Sequence, residues 1–254
     1  MRMTSTTLEP MRFGAPFSAQ AILSSLADPV FQPITFGHGA PFAFEALMRL
    51  KCGSHVDWLQ TWERAGVAHL ADLAMLSKVQ RCLAPLFWSP HITVNVSAAT
   101  IECAGPLYLA EAAQLRQSLT GLIVEITETV TARNIPSVRR FAAECRGLGI
   151  ALALDDCQPG NINTEAGYID ALRPAYVKID GPWLLAAFAA QGSRTASSLA
   201  RFIALAKAFG ATVIAEHVES PEVQEYACQI GADLFQGFGI ARPGALPLHL
   251  NPAT

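Results

Sequence analysis

The feature that most constrains this chain is an alternation repeated along most of its length. Short runs rich in β-branched and apolar residues (His91–Ser97, Leu122–Thr127, Ala151–Asp156, Ala175–Asp180, Thr212–Glu216) are separated by longer stretches with helical spacing. One such stretch carries Val138, Phe141, Ala142, Cys145 and Leu148 and ends in Gly149; another carries Leu199, Phe202, Ile203, Ala206 and Phe209 and ends in Gly210. A third opens with Ser220-Pro221-Glu222 and stops before Gly231. Serine caps a helix start, proline suits the first helical position, and glycine suits the residue after the last turn. Strand, helix, glycine, strand in repetition predicts a parallel α/β fold. Periodicity alone leaves an open sheet and a closed barrel both available.

A second regularity favours the barrel. Nearly every strand candidate ends in a polar residue that an apolar core would reject. Glu45 follows Phe42-Ala43-Phe44, Asn95 follows Thr93-Val94, and Glu125 follows Leu122-Ile123-Val124. Asp155-Asp156 follows Ala151–Leu154, Lys178 follows Tyr176-Val177, and Glu216 follows Val213-Ile214-Ala215. One polar strand end is explained by emergence into solvent. Six of them fit a (β/α)₈ barrel, where functional residues at the C-terminal ends of several strands converge on one face.

Composition excludes several classes. Hydrophobic residues make up 51% of 254 positions and charged residues only 15%, enough for one sizeable core and too apolar for a disordered chain. A net charge of −3 provides no basic footprint for a nucleic-acid duplex. The six cysteines, at 52, 82, 103, 145, 157 and 228, contain no CxxC pair and read as reduced thiols. The N-terminus has no continuous apolar h-region, and the apolar stretch Trp183–Ala190 is too short to span a bilayer. A soluble, cytoplasmic protein is expected. Residues 1–24 are expected to form an extension or first helix, and 25–250 a single barrel domain.

Convergence of the strand ends would place Glu45, Glu125, Asp155, Asp156 and Glu216 in one cavity. Two like charges about 4 Å apart repel by roughly 4 kcal/mol at an effective dielectric near 20. Such a group must protonate or hold cations. With Asn95 and no His or Cys, the oxygen-only set suits Mg²⁺ or Mn²⁺ rather than zinc. The adjacent Asp pair can serve two neighbouring ions, the arrangement that clamps an in-line phosphoryl displacement. Lys178 can orient the attacking oxygen, and Arg49 offers a fork for a phosphate. Metal-dependent phosphodiester hydrolysis is within reach of this chemistry; the substrate is not.

In order along the chain, Gln32-Pro33-Ile34, Glu45-Ala46-Leu47-Met48-Arg49, Asn95-Val96-Ser97, Glu125-Ile126-Thr127-Glu128, Asp155-Asp156, Lys178-Ile179-Asp180, Ala215-Glu216-His217-Val218-Glu219, Gln236-Gly237-Phe238 and Ala241-Arg242-Pro243 resemble the motifs of the EAL family of cyclic di-GMP phosphodiesterases. The resemblance implies a (β/α)₈ barrel with an atypical first strand, and hydrolysis of cyclic di-GMP to linear pGpG in bacterial second-messenger signalling. It implies Glu45, Asn95, Glu125 and Asp155 at a first metal. Asp155, Asp156 and Glu216 would serve a second, with Ca²⁺ expected to inhibit. Lys178, Glu216 and Gln236 are implied at the catalytic water. Gln32, Leu47 and Arg49 are implied on the dinucleotide, with Glu128 and Glu219 anchoring loops.

Three departures mark the chain. The family's Phe-Gly-(Thr or Ser)-Gly after the Asp pair is here Cys157-Gln158-Pro159-Gly160, and the stretch from there to Lys178 is longer. His217 stands where the family has glycine. The family's loop couples metal binding to dimerisation, so these changes bear on activity and on a homodimer alike. Slow turnover is one expectation. A receptor that binds cyclic di-GMP without cleaving it, and signals through a regulatory protein partner, is the alternative. The remaining histidines, 38, 55, 69, 91 and 249, have no ligand spacing.

Overall fold

The computed structural model describes residues 27–51, 61–62, 65–127 and 135–249. Eight strands close into a barrel in sequence order: β1 (Ala27–Phe36), β2 (Pro41–Leu50), β3 (His91–Val96), β4 (Gly121–Ile126), β5 (Ala151–Cys157), β6 (Tyr176–Ile179), β7 (Thr212–Ala215) and β8 (Leu234–Phe235). Pairings from β2 round to β8 are parallel, whereas β1 runs antiparallel to both β2 and β8. The barrel is thus a (β/α)₈ barrel with a reversed first strand. The reversal has a local cause. A short turn joins β1 to β2, with Gly39 at φ 87°, and antiparallel strands need only a hairpin, whereas parallel ones need a crossover. Pro29 and Pro33 cannot donate to a ladder, and β1 meets β8 only at Thr35 and Phe36. Further along, Phe31 exchanges backbone hydrogen bonds with Gly244, which brings residues 241–244 alongside β1.

The helices are α1 (Ala68–Leu83), α2 (Ala98–Arg116), α3 (Ile135–Gly147), α4 (Ala166–Leu172), α5 (Gly181–Ala189), α6 (Arg194–Ala208) and α7 (Pro221–Gln229). The periodic residues expected to face the core do so: Val138, Phe141, Ala142 and Cys145 on α3, and Leu199, Phe202, Ile203 and Ala206 on α6 are buried. Leu148 and Phe209 fall past the helix ends and are exposed. Ser220 accepts the Val223 N–H as the cap of α7, and Gly149, Gly210 and Gly231 have positive φ after their helices. These helices cover the outer face of the barrel, against Val94, Val124, Leu152, Val177 and Val213. Each such residue, fully buried, contributes about 1.5–3 kcal/mol.

A second, smaller apolar cluster fills the barrel interior: Ile34, Ala43, Ile123, Ala153, Ile214 and Leu234, with Tyr176 packed against it. The cysteines at 82, 103, 145, 157 and 228 are unpaired thiols, as expected, and Cys52 lies outside the described residues. The expected segment 1–24 also lies outside them. Among the described residues no helix is long and apolar enough to cross a membrane.

Candidate active site

Side chains on a strand alternate between faces, so residues two apart share one. Taking that step toward the open end from each residue of the interior apolar layer gives the site. Ile34 leads to Gln32 on the reversed β1, and Ala43 to Glu45. Ile123 leads to Glu125, Ala153 to Asp155, Tyr176 to Lys178, Ile214 to Glu216, and Leu234 to Gln236. An apolar floor therefore carries a polar layer directly above it. The apolar run Phe42-Ala43-Phe44 predicts a strand that ends at Glu45. Instead β2 continues to Leu50, so Glu45 is mid-strand, with Leu47 and Arg49 following on the same face.

Lys178 is the centre of the layer. Its Nζ lies 2.8 Å from Glu125 Oε2, 2.8 Å from Asp155 Oδ1, 2.8 Å from Glu216 Oε1 and 3.2 Å from Glu45 Oε2, with the side chain 1% exposed. Glu45 also accepts from Gln236 Nε2 at 2.7 Å and Asn95 Nδ2 at 3.1 Å. Gln236 Nε2 in turn lies 3.4 Å from Gln32 Oε1. One ammonium faces four carboxylates, and the electrostatics follow. Burial would push Glu45 up, but Lys178 and the bonds from Gln236 and Asn95 outweigh it and hold this carboxyl below its usual range. Burial and the neighbouring Glu45 charge push Glu125 up to about 8. Burial likewise raises Asp155 and, more strongly, Glu216. Burial alone would lower Lys178; the surrounding carboxylates reverse that and hold it well above the ordinary lysine range. Four acids thus crowd one cation, and the raising of three of them shows that the layer must hold protons or a further cation.

Asp155 and Asp156 are adjacent, and a regular strand would point them to opposite faces. The register between β5 and β6 shifts between Leu154 and Cys157, and Asp156 takes φ 46°. Aspartate tolerates this left-handed region better than most residues. The irregularity brings oxygens of Asp155, Asp156 and Glu216 within 4.8 Å of one another. Glu125 Oε1 is buried with no hydrogen-bond donor among the described residues. Three clustered carboxylates and an orphaned buried oxygen fit a hard divalent cation.

The layer floors a cavity of about 320 Å³, lined also by Leu47, His217, Glu219, Gly237, Phe238 and Pro243. Arg49 lies farther out on β2 and is exposed. Glu128 lies outside the described residues. Several further residues support the layer. Tyr108 OH donates to the Asn95 carbonyl at 3.0 Å, and Asn163 Nδ2 donates to the Asp155 carbonyl at 2.8 Å. Asp72 accepts from Ser97 N and Oγ, and from Thr100 Oγ1, at the start of α2 just past Asn95. No sequence spacing links these partners to the residues they steady, apart from the Ser97 cap.

The family profile described as "EAL domain" matches residues 19–243. The chain belongs to the EAL domain family. This EAL domain is 28% identical over 241 residues to the cyclic di-GMP phosphodiesterase PdeB of Shewanella oneidensis, covering 90% of the chain and 28% of that protein. Bifunctional diguanylate cyclase/cyclic di-GMP phosphodiesterase MucR of Pseudomonas aeruginosa is 28% identical over 155 residues, 60% of the chain and 22% of the relative. The chain thus spans well under a third of these relatives' lengths. A solved structure of PaMucR phosphodiesterase in complex with c-di-GMP superposes with TM-score 0.74 at 25% identity, covering 87% of this chain and 97% of that one. The Xanthomonas citri FimX EAL domain superposes with TM-score 0.76 at 15% identity, covering 91% and 93%, a likeness of fold.

Proposed function

We propose that this EAL domain is a phosphodiesterase that hydrolyses cyclic di-GMP to linear pGpG with two divalent ions, Mg²⁺ or Mn²⁺. The observation that carries the reading is the excess of buried carboxylate around Lys178, with oxygens of Asp155, Asp156 and Glu216 within 4.8 Å. Glu45, Asn95, Glu125 and Asp155 would hold one ion; Asp155, Asp156 and Glu216 would hold the other. Bound there, the ions supply Lewis-acid stabilisation of the charge that develops on the phosphoryl oxygens. Gln32 and Leu47, at the cavity wall, and Arg49, two residues beyond Leu47 on β2, would orient the dinucleotide. Lys178 would keep an attacking water oxygen in line through one N–H, and Gln236 would fix Glu45 beneath it. The water oxygen bonds to phosphorus, the P–O bond to the sugar 3′-oxygen breaks, and the water's proton goes to that leaving oxygen. A cytoplasmic setting agrees with the free thiols.

A second reading, a receptor that binds cyclic di-GMP and acts through a protein partner, is supported by the loop after the Asp pair. Cys157 there is wholly buried, and Pro159 restricts a turn that already holds Asp156 at positive φ. One experiment separates the two: turnover of cyclic di-GMP in Mg²⁺ and Mn²⁺, with an EDTA control, beside a binding titration in Ca²⁺. The phosphodiesterase reading expects turnover that stops in EDTA and binding without cleavage in Ca²⁺. Turnover in EDTA refutes the metal assignment, and binding without turnover in any metal establishes the receptor.

A further inference from the structure

The segment after β7, residues 216–220, is held between two glycine-lined surfaces. On one side a Cβ at Gly237 would lie 2.2 Å from the Val218 carbonyl oxygen, and one at Gly239 would lie 2.5 Å from Glu219 C. Backbone there packs on backbone. On the other side the contact is made by one side chain. A Cβ at Gly181 would lie 2.2 Å from His217 Cγ, 2.4 Å from Cδ2 and 2.5 Å from Cβ. His217 has thus taken the space of the missing 181 side chain.

Two further observations give this contact a purpose. His217 holds φ 51°, a left-handed conformation that costs a residue with a Cβ and is sustained where surroundings impose it. Its imidazole lines the cavity but does not join the oxygen cluster of Asp155, Asp156 and Glu216, so it is not placed as a ligand. His217 directly follows Glu216, and Gly181 comes three residues after Lys178. The ring therefore bridges the outer ends of β6 and β7 just beyond the 2.8 Å Lys178–Glu216 pair.

We infer that His217 is a positioning residue, keyed to the absent side chain of Gly181, that fixes Glu216 relative to Lys178 at the reacting end of the barrel. The role in turnover and metal binding rests on the reading of the site as a metal-dependent phosphodiesterase; the ring-against-glycine contact does not.

The test is a cycle of Gly181→Ala, His217→Gly and the double variant, read by thermal melting, by calorimetric Mn²⁺ titration and by kcat and KM. Gly181 has no positive φ and sits in the first turn of α5, so alanine there is otherwise neutral or stabilising. With His217 present, Gly181→Ala should lower Tm and weaken Mn²⁺ binding by about tenfold or more, the usual scale for losing a support behind a ligand. With His217→Gly, the same substitution should leave Tm equal or higher and Mn²⁺ affinity within about threefold, less than that scale. His217→Gly alone should lower kcat with KM little changed. The same penalty for Gly181→Ala in both backgrounds overturns the inference, as does unchanged Mn²⁺ affinity in that single variant. If the wild type binds no Mn²⁺, the metal reading fails by itself, and the reversal of sign in Tm still decides the contact.

Discussion

Replacing Lys178 with methionine removes the one ammonium from the polar layer while keeping the length of the side chain. Similar volume means that no sizeable cavity opens and the apolar floor beneath stays packed. The cost is electrostatic. Four carboxylates lie within 3.2 Å of Nζ, and the side chain is 1% exposed, so solvent cannot substitute for it. Removing one partner of a buried ion pair typically costs about 3–5 kcal/mol, because the remaining charge stays unpaired. Glu125, raised to about 8, already carries its proton at neutral pH and adds little unpaired charge, which holds the loss toward the lower figure. For a domain of this size the loss corresponds to a fall in Tm of about 6–20 °C. The assay is a circular-dichroism melt of wild type and Lys178→Met, in EDTA and in Mn²⁺. Mn²⁺ should restore more Tm to the variant than it adds to the wild type, since a cation replaces the lost charge. Turnover should be abolished, with cyclic di-GMP affinity in Ca²⁺ kept within about tenfold, or 1.4 kcal/mol. A variant melting within about 2 °C of wild type in EDTA, less than one kilocalorie's worth, would refute the counter-charge role.

Arg49→Ala should weaken cyclic di-GMP binding by about 1.5–3 kcal/mol, the value of a charge-assisted bond, and leave Tm unchanged because Arg49 is exposed. Unchanged affinity in a Ca²⁺ titration removes Arg49 from the binding site. Replacing Gln158-Pro159 by Gly-Thr should raise turnover about tenfold or more with little change in affinity, since small misplacements of positioned groups cost rate. Cys157 stays in place because a phenylalanine at that buried position would overpack by about 1–3 kcal/mol. An unchanged rate means that the loop does not limit the chemistry. Asp72→Ala strips a half-buried acceptor from Ser97 and Thr100 and should cost about 1–3 kcal/mol in a denaturant titration. A loss below about 0.5 kcal/mol, the low end for one hydrogen bond, would show that the α2 cap stands without it.

The sequence by itself determined the alternation of elements, because periods of 2 and 3.6 reflect which face of each element is buried. Val138, Phe141 and Cys145 on α3, the cap at Ser220 and the glycines after three helices were legible for that reason. So were the polar steps at Glu125, Asp155 and Lys178, which break apolar runs. Tertiary structure decided what those steps meet. Whether the sheet closes depends on β1 pairing with β8 across almost the whole chain, and no local pattern encodes a pairing at that separation. The Asp156 turn that sets two adjacent carboxylates on one side comes from a shift between neighbouring strands. Lys178 surrounded by four carboxylates, and His217 filling the space above Gly181, are contacts between segments far apart in sequence. Local periodicity specifies a face; only the closed barrel specifies which faces share a cavity, and there charge and space are settled.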